Sequence, residues 1–428
     1  MAGSSEARER LSRIMGRNLT LNGELIAKVG SIVDAVRAEG DAALRRFTQE
    51  FDGIRLTGIK VSKEEIEKAR QEVSEGILRI ISEAAANVRK FHEKQKATSW
   101  TVHGEDGSIL GQRVIPLERV GLYVPGGTAA YPSTVIMNAV PAQVAGVKEI
   151  HVFTPPNRDG GVNRIVLATC GVLGIENVYS VGGAQAIAAA AYGTETVRRV
   201  DKIVGPGNMY VAAAKKIVFG DVDIDMIAGP SEVVVLADST ADPAHVAADL
   251  LAQAEHDGNA AAVLVTTDKV LARKVQRKVS DFLTDLSRKK IAAESMRRNG
   301  AAFVVGEIGE GIDLVNDIAP EHLEIITESA WEHVGRVRNA GAVFVGDHSP
   351  EPVGDYFAGP SHVLPTGGTA RFSSVLSVDT FVKRSSVIQY SPESFRRDAG
   401  KIKIFAQNEG LDAHALSITV RDKRGHKR

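Results

Sequence analysis

Four short stretches of the chain hold polar, titratable residues in segments that otherwise read as ordinary α/β scaffold. Leu250 to Gly258 reads LLAQAEHDG and sets Gln253 and His256 three apart near a helix end. Residues three apart share one helix face, so a carboxamide oxygen and an imidazole point into the same space. The other stretches are PEH (Pro320 to His322), GDYFAGPSH (Gly354 to His362) and EGLDAH (Glu409 to His414). A site drawing on four distant stretches implies a folded enzyme, and His, Asp and Gln together suit a divalent metal ion.

Each cluster also has a plainer reading. Gln253 and His256 can be solvent-exposed residues at a helix end. Glu321 and His322 can be a surface pair in a loop, although His is the side chain best poised to accept protons near neutral pH and an adjacent carboxylate can activate water. Asp355 is a plausible hard ligand, yet Asp and Gly also favour turns for local reasons, and His362 lies across a loop containing Gly and Pro. Glu409 and His414 occupy a short non-apolar stretch that can be mere surface.

The elements that must position these residues are partly marked. Asp242 can cap a helix from Pro243 to Glu255, Pro243 suits its first turn and Gly258 lies just beyond its end, with Ala247, Leu250 and Ala254 as the buried stripe. Up to about Thr101 the pattern is helical, with an apolar stripe of Ala27, Val29, Ile32, Val33 and Val36. A second helical run starts at Ser62 with Glu65 as a capping box, and Gly76 is expected to break it. From Val114, short β-branched runs alternate with Ala-rich helices, which indicates a parallel sheet with helices on both faces. Its turns (PGGTAAYP, GGAQ, GPGN) fall at strand carboxyl ends, where open α/β sheets bind ligands. A second series begins at SEVVVLAD and runs to AGAVFVG, so two consecutive sheets of similar size suggest a duplicated Rossmann-like unit. After Val375 the chain is irregular and partly helical, ending in a strand-like SITVR.

The chain has 428 residues, 43% hydrophobic and 25% charged, as in an ordinary globular protein. Its formal net charge of -1 offers no general attraction to nucleic acid or acidic membranes. The basic end RDKRGHKR reads as a frayed, solvated terminus. A single cysteine, Cys170, excludes an internal disulfide and a thiolate zinc site. It lies in IVLATCGVL without a cationic neighbour, so it reads as a small buried hydrophobe, and aldehyde oxidation through a cysteine adduct is not expected. MAGSSEARER lacks the apolar core of a signal peptide and no apolar run approaches membrane-spanning length; a cytoplasmic enzyme is expected. Neither G-x-G-x-x-G nor G-x-x-x-x-G-K-[ST] occurs. The Gly-rich turns of the first sheet can still admit a pyrophosphate or nicotinamide, with Tyr123, Gln185 and Asn208 as polar contacts.

The chain resembles the histidinol dehydrogenase family from about Arg45 to Arg421. The resemblance rests on VGLYVPGG, VGGAQAIAA, KIVGPGN, AGPSEVVVLAD, LLAQAEH, IAPEHLEI, GDYFAGPSHVLPT and EGLDAHA. It implies a zinc-dependent, NAD-linked, four-electron oxidation of L-histidinol through the aldehyde to L-histidine, the last step of histidine biosynthesis. The implied zinc ligands are Gln253, His256, Asp355 and His414, and the implied bases Glu321 and His322. The implied substrate contacts are Ser231, Gln253, His256, His322, Asp355, His362, Glu409 and His414, and the NAD contacts Tyr123, Gln185 and Asn208. The implied fold is α/β, two Rossmann-like parallel-sheet domains in an aldehyde-dehydrogenase-like arrangement, with small helical N-terminal and C-terminal segments. The expected divisions are 1–21, then 22–121 with 232–374 carrying metal and base residues, 122–231 carrying the NAD loops, and 375–428. The resemblance further implies a homodimer in which the C-terminal segment brings Glu409 and His414 to the neighbouring subunit's site. A zinc- and NAD-dependent relative acting on another polyol, or a zinc hydrolase using Glu321, are the alternatives, and Glu409 favours a cationic over a sulfonated substrate.

Overall fold

The computed structural model describes residues 4–17, 21–126 and 131–422, so residues 127–130 of the PGGTAAYP turn and 423–428 of the basic end lie outside the described residues. In chain order the strands are β1 (Trp100–His103), β2 (Ile109–Pro116), β3 (Arg119–Tyr123), β4 (Glu149–Thr154), β5 (Asn177–Ser180) and β6 (Lys202–Val204). They continue with β7 (Asp223–Ile224), β8 (Glu232–Ala237), β9 (Ala261–Thr266), β10 (Ala301–Val304), β11 (His322–Ile326), β12 (Ala342–Val345) and β13 (Val382–Gln389). The chain divides into two units, Met1–Gln95 with Leu117–Phe381, and Lys96–Pro116 with Val382–Arg428.

The first unit holds two five-stranded sheets, β5-β4-β3-β6-β7 and β10-β9-β8-β11-β12, parallel throughout. Counted along the chain, both have the order third, second, first, fourth, fifth. This matches the expected α/β class and the expected pair of Rossmann-like sheets. Their central strands are apolar runs buried on both faces; every residue of β8 and β9 is buried. That is the signature of a parallel sheet covered by helices above and below.

The N-terminal helices divide between the two parallel sheets. The Leu25, Val29, Ile32, Val33 and Val36 stripe of helix Gly23–Glu39 packs on the alanines of helix Gly183–Tyr192, whose small side chains allow close approach. Helix Lys63–Glu72 lies on Arg164–Val172, and Glu75–His92 lies on Pro132–Ala145. Residues 23–92 therefore cover the β3–β7 sheet. Helix Ser5–Met15 instead buries Ile14 among β8–β12 residues. The Ser62 capping box forms as expected. The break after it falls at Val73, which is extended, and Gly76 lies inside the next helix. Helix Lys289–Asn299 was not foreseen. Cys170 is buried, and desolvation pushes its thiol up to about 12.

In the second unit β1, β2 and β13 form an antiparallel sheet where the sequence reading found no strands. Two helices follow, Pro392–Asn408 and Asp412–Asp422. The SITVR stretch is helical, not a strand. It packs against Pro392–Asn408, and the Thr419 hydroxyl donates to the Ala415 carbonyl at 2.9 Å, so tertiary contact overrides β-branched propensity. Among the described residues no helix is long and apolar enough to cross a membrane.

Candidate functional site

The β8–β12 sheet places its chemistry at the amino end of its two switch-point strands. Glu232 opens β8, His322 opens β11, and the two strands pair in parallel with His322 opposite Val233. The main chain of Glu232 holds both neighbouring side chains of the PEH stretch. Its N–H donates to Glu321 Oε2 at 3.0 Å, and its carbonyl accepts from His322 Nδ1 at 3.1 Å. A carbonyl can only accept, so the His322 proton belongs on Nδ1. His322 Nε2, buried and without a hydrogen-bond partner among the described residues, is then a free lone pair. Burial pushes this imidazole down to about 3, which keeps it neutral at physiological pH. Burial likewise raises Glu321 well above the usual carboxyl range, while the Glu232 N–H and the Ser231 hydroxyl pull it back.

Helix Pro243–Ala254 delivers Gln253 and His256 to the same place. Asp242 caps its N-terminus and Pro243 starts it, as the sequence indicates. Gln253 is 0% exposed, so the reading of it as a surface residue fails, while the His256 side chain is 40% exposed. Asp355 lies in the short helix Glu351–Tyr356 rather than in a loop. Its Oδ1 stands 4.0 Å from His322 Nε2 and 3.9 Å from His362 Nδ1. Desolvation pushes the Asp355 carboxyl up to about 7 and the His362 imidazole down to about 4.

One member of the cluster escaped the sequence reading. Glu351, 2% exposed, stands with its carboxyl 3.9 Å from His256 Nε2. With the NH2 of the Gln253 carboxamide turned toward it, Gln253 donates to its two oxygens at 3.0 and 3.3 Å. That amide nitrogen also lies 3.2 Å from His322 Nδ1, but with the proton assigned to Nδ1, Glu351 is the Gln253 partner. Desolvation raises Glu351 well above its ordinary range, and the charged groups adding to that are all carboxyls: Asp355, Glu321, Glu324 and Asp249. The signal was present in the sequence, because Glu351 and Asp355 are four apart, the spacing of one helix face.

Ligand atoms of His256, Glu351 and Asp355 lie within 4.8 Å of one another. Crowded carboxyls lacking a positive neighbour, beside imidazoles held neutral, form a donor set that a divalent cation would satisfy. The residues therefore fit a metal ion. Glu409 and His414 belong to the second unit. There Glu409 caps the end of helix Pro392–Asn408 and opens the turn to helix Asp412–Asp422, in which His414 lies, and both are exposed.

The β3–β7 sheet uses its carboxyl end. Tyr123 closes β3, and its hydroxyl accepts from the Gly183 N–H at 3.0 Å, at the start of the helix carrying Gln185. The GPGN turn follows β6; Gly205 has φ +104, and a Cβ there would meet the Tyr123 carbonyl oxygen at 2.2 Å, so only glycine fits. A buried Lys215–Asp225 pair at 2.5 Å pins this turn, with Lys215 also bonding the Gly205 carbonyl at 2.7 Å. Asn208 caps helix Met209–Val218. Tyr123, Gln185 and Asn208 line one cavity of about 580 Å3. Gln185 Oε1 is buried there without a partner among the described residues, an acceptor waiting for a donor. A second cavity, about 720 Å3, runs from the GPGN turn past Ser231 to His256, Glu321 and His362. Asn208 borders both cavities.

Two Rossmann-like sheets, one offering helix N-termini and the other a buried acid–base and metal-competent cluster, define a two-sheet α/β enzyme. The sequence model of histidinol dehydrogenase matches residues 16–422. The histidinol dehydrogenase of Geobacillus kaustophilus is 57% identical over 92% of this chain and 93% of its own. That of Moorella thermoacetica is 53% identical over 98% and 99%. The crystal structure of histidinol dehydrogenase from Elizabethkingia anophelis superposes with a TM-score of 0.92 at 39% identity, covering 97% of this chain and 96% of that one. The chain belongs to the histidinol dehydrogenase family, and it is a dehydrogenase.

Proposed function

We propose that this chain oxidises L-histidinol through L-histidinaldehyde to L-histidine, with two NAD as hydride acceptors and one zinc ion per subunit, in the cytoplasm. The observation that carries the reading is the His322 imidazole: neutral, anchored through Nδ1, with a free Nε2 beside the His256, Glu351 and Asp355 cluster. In the first oxidation His322 Nε2 takes the hydroxyl proton as hydride leaves the carbinol carbon for the nicotinamide. In the second, Glu321 takes a proton from the water that adds to the aldehyde, while His322 returns its proton to the aldehyde oxygen and is free to act as base again. The hydrate then loses its hydroxyl proton to His322 and its hydride to a second nicotinamide. Water enters once, and the acid is released with two reduced cofactors.

Zinc would be held by Gln253, His256 and Asp355 with His414 of a second subunit, and would fix the substrate amine and imidazole so that the carbinol faces the cofactor. Ser231 and His362 border the substrate cavity, and Glu409 would accept a hydrogen bond from the substrate, its charge disfavouring a sulfonate. Tyr123, Gln185 and Asn208 would hold NAD.

A homodimer with shared sites accounts for Glu409 and His414 being exposed in the second unit. That unit also leaves large apolar side chains uncovered, Phe405 at 70% and Ile388 at 73%, as a subunit interface would require. The test is NADH formation from L-histidinol by the zinc-loaded protein. Absence of turnover, or equal turnover of dihydroxypropanesulfonate, overturns the substrate. Turnover without NAD would mark a hydrolase. Mixing His322→Ala chains with His414→Ala chains should restore part of the activity; verified mixed dimers that stay inactive overturn the shared site.

A further inference from the structure

The two groups read above as bases are oriented by the main chain of Glu232, and the Glu232 side chain is itself tethered. Its Oε1 accepts from Arg17 Nη2 at 2.7 Å, with the two side chains only 6% and 9% exposed. Arg17 stands just past helix Ser5–Met15, and its whole guanidinium is engaged. Nε donates to the Ile14 carbonyl at 3.0 Å, and Nη1 donates to the Asn259 carbonyl at 2.7 Å. One planar cation thus ties the N-terminal helix, the start of β8 and the turn before β9 to each other. Arg suits such a place because its fork meets several acceptors at fixed angles, which a lysine ammonium cannot reproduce.

We propose that Arg17 is a positioning residue for the oxidation: by neutralising and tethering Glu232 it holds the start of β8 where that residue's main chain orients Glu321 and His322. Without Arg17 the Glu232 carboxylate loses its cation and keeps only backbone N–H donors, next to a second buried carboxyl at Glu321. The start of β8 then shifts to reach water or a proton, and the two hydrogen bonds that set the His322 tautomer and the Glu321 direction are lost. Arg17 lies outside the metal cluster and the cavity of Tyr123, Gln185 and Asn208, but it lines the cavity of about 720 Å3 with Ser231 and His256, so zinc retention and the KM for NAD are the readouts that a positioning role leaves alone.

This inference rests on Glu321 and His322 being the bases, so His322→Ala is measured beside it. In the full-length, zinc-loaded enzyme, Arg17→Met should lower kcat about 100-fold, the scale of general-base positioning. The KM for NAD and the zinc content should stay within about 3-fold of the parent. Arg17→Lys should recover part of the loss, and Arg17→Met with Glu232→Gln should recover more, because the stranded charge is gone. An unchanged kcat in Arg17→Met overturns the inference, as does a loss shared by the KM for NAD and the zinc content with no recovery in the double variant. If Arg17→Met does not fold, Glu232→Gln, which keeps the shape, must lower kcat with the KM for NAD unchanged; unaltered kcat overturns it. Full turnover in His322→Ala overturns the underlying reading, whereas an inactive His322→Ala beside a normal Arg17→Met overturns this inference alone.

Discussion

The two parallel sheets of the first unit share one strand order and work from opposite edges. In the β3–β7 sheet the residues of interest follow β3, β5 and β6, at the carboxyl end, where helices begin at Gly183 and Met209. In the β8–β12 sheet they open β8 and β11, at the amino end, where helix Pro243–Ala254 finishes beside Gln253 and His256. A helix start carries free N–H groups and a partial positive charge, which suits a pyrophosphate. A helix finish carries the opposite sign, which suits a cation. One topology therefore provides two electrostatic environments, and the choice of edge decides which ligand each sheet can serve.

The comparison breaks most sharply at His322. His322→Ala should cut kcat by about a thousandfold, within the range of a lost general base, while NAD binding measured by fluorescence titration stays unchanged. Weakened NAD binding would mean that the two edges are not separate. Next in size, Asp355→Asn and Glu351→Gln should each weaken zinc retention by about 10-fold to 100-fold, read as metal content after dialysis against graded chelator. If Glu351→Gln keeps its zinc, the buried carboxyl serves only to hold Gln253.

A third outcome concerns pH in the sheet that has no acid–base role. Desolvation pushes His151, on β4, down to about 4 from the ordinary 6.5 of a free imidazole. Between these values the unfolded chain binds the proton and the folded chain does not. This contribution to stability is therefore intact above 6.5 and is lost as pH falls through that window. Replacing His151 with Leu should thus gain about 2 kcal/mol relative to the parent on going from pH 8 to pH 5, read by urea unfolding. The smallest effect is expected at Gln185. Gln185→Leu should raise the KM for NAD several-fold, as for one lost hydrogen bond, with the KM for histidinol constant.

The sequence was most legible where burial is continuous. The VVVL and AVLV runs of β8 and β9 carry their own diagnosis, because a strand covered on both faces has no alternation to misread. β1 is exposed along its whole length and β13 nearly so, leaving no apolar period by which to find them. The Thr284 to Arg288 link between helices Lys269–Leu283 and Lys289–Asn299 holds no Gly or Pro, so nothing in the sequence marks the start of the second helix. In the site, His256, His322 and Asp355 stood out by residue type. Glu351 did not, since a carboxylate beside a proline looks like surface; its spacing of four from Asp355 was the signal available, and its burial at 2% exposure comes from the fold. For Gln253 the residues alone left a solvent-exposed reading open beside the ligand implied by the resemblance, because a sequence cannot show that the end of a helix is roofed by another segment.

The sealed thiol of Cys170 has a use outside chemistry. It sits within the apolar layer beneath the β3–β7 sheet, shielded from water and held in its uncharged state. An alkylating reagent can reach it only when that layer comes apart, so the rate of labelling becomes a clock for opening of the cofactor half of the molecule. Because the sequence contains no other cysteine, the signal comes from this one place. Adding NAD or zinc separately would then show which of them keeps that half closed.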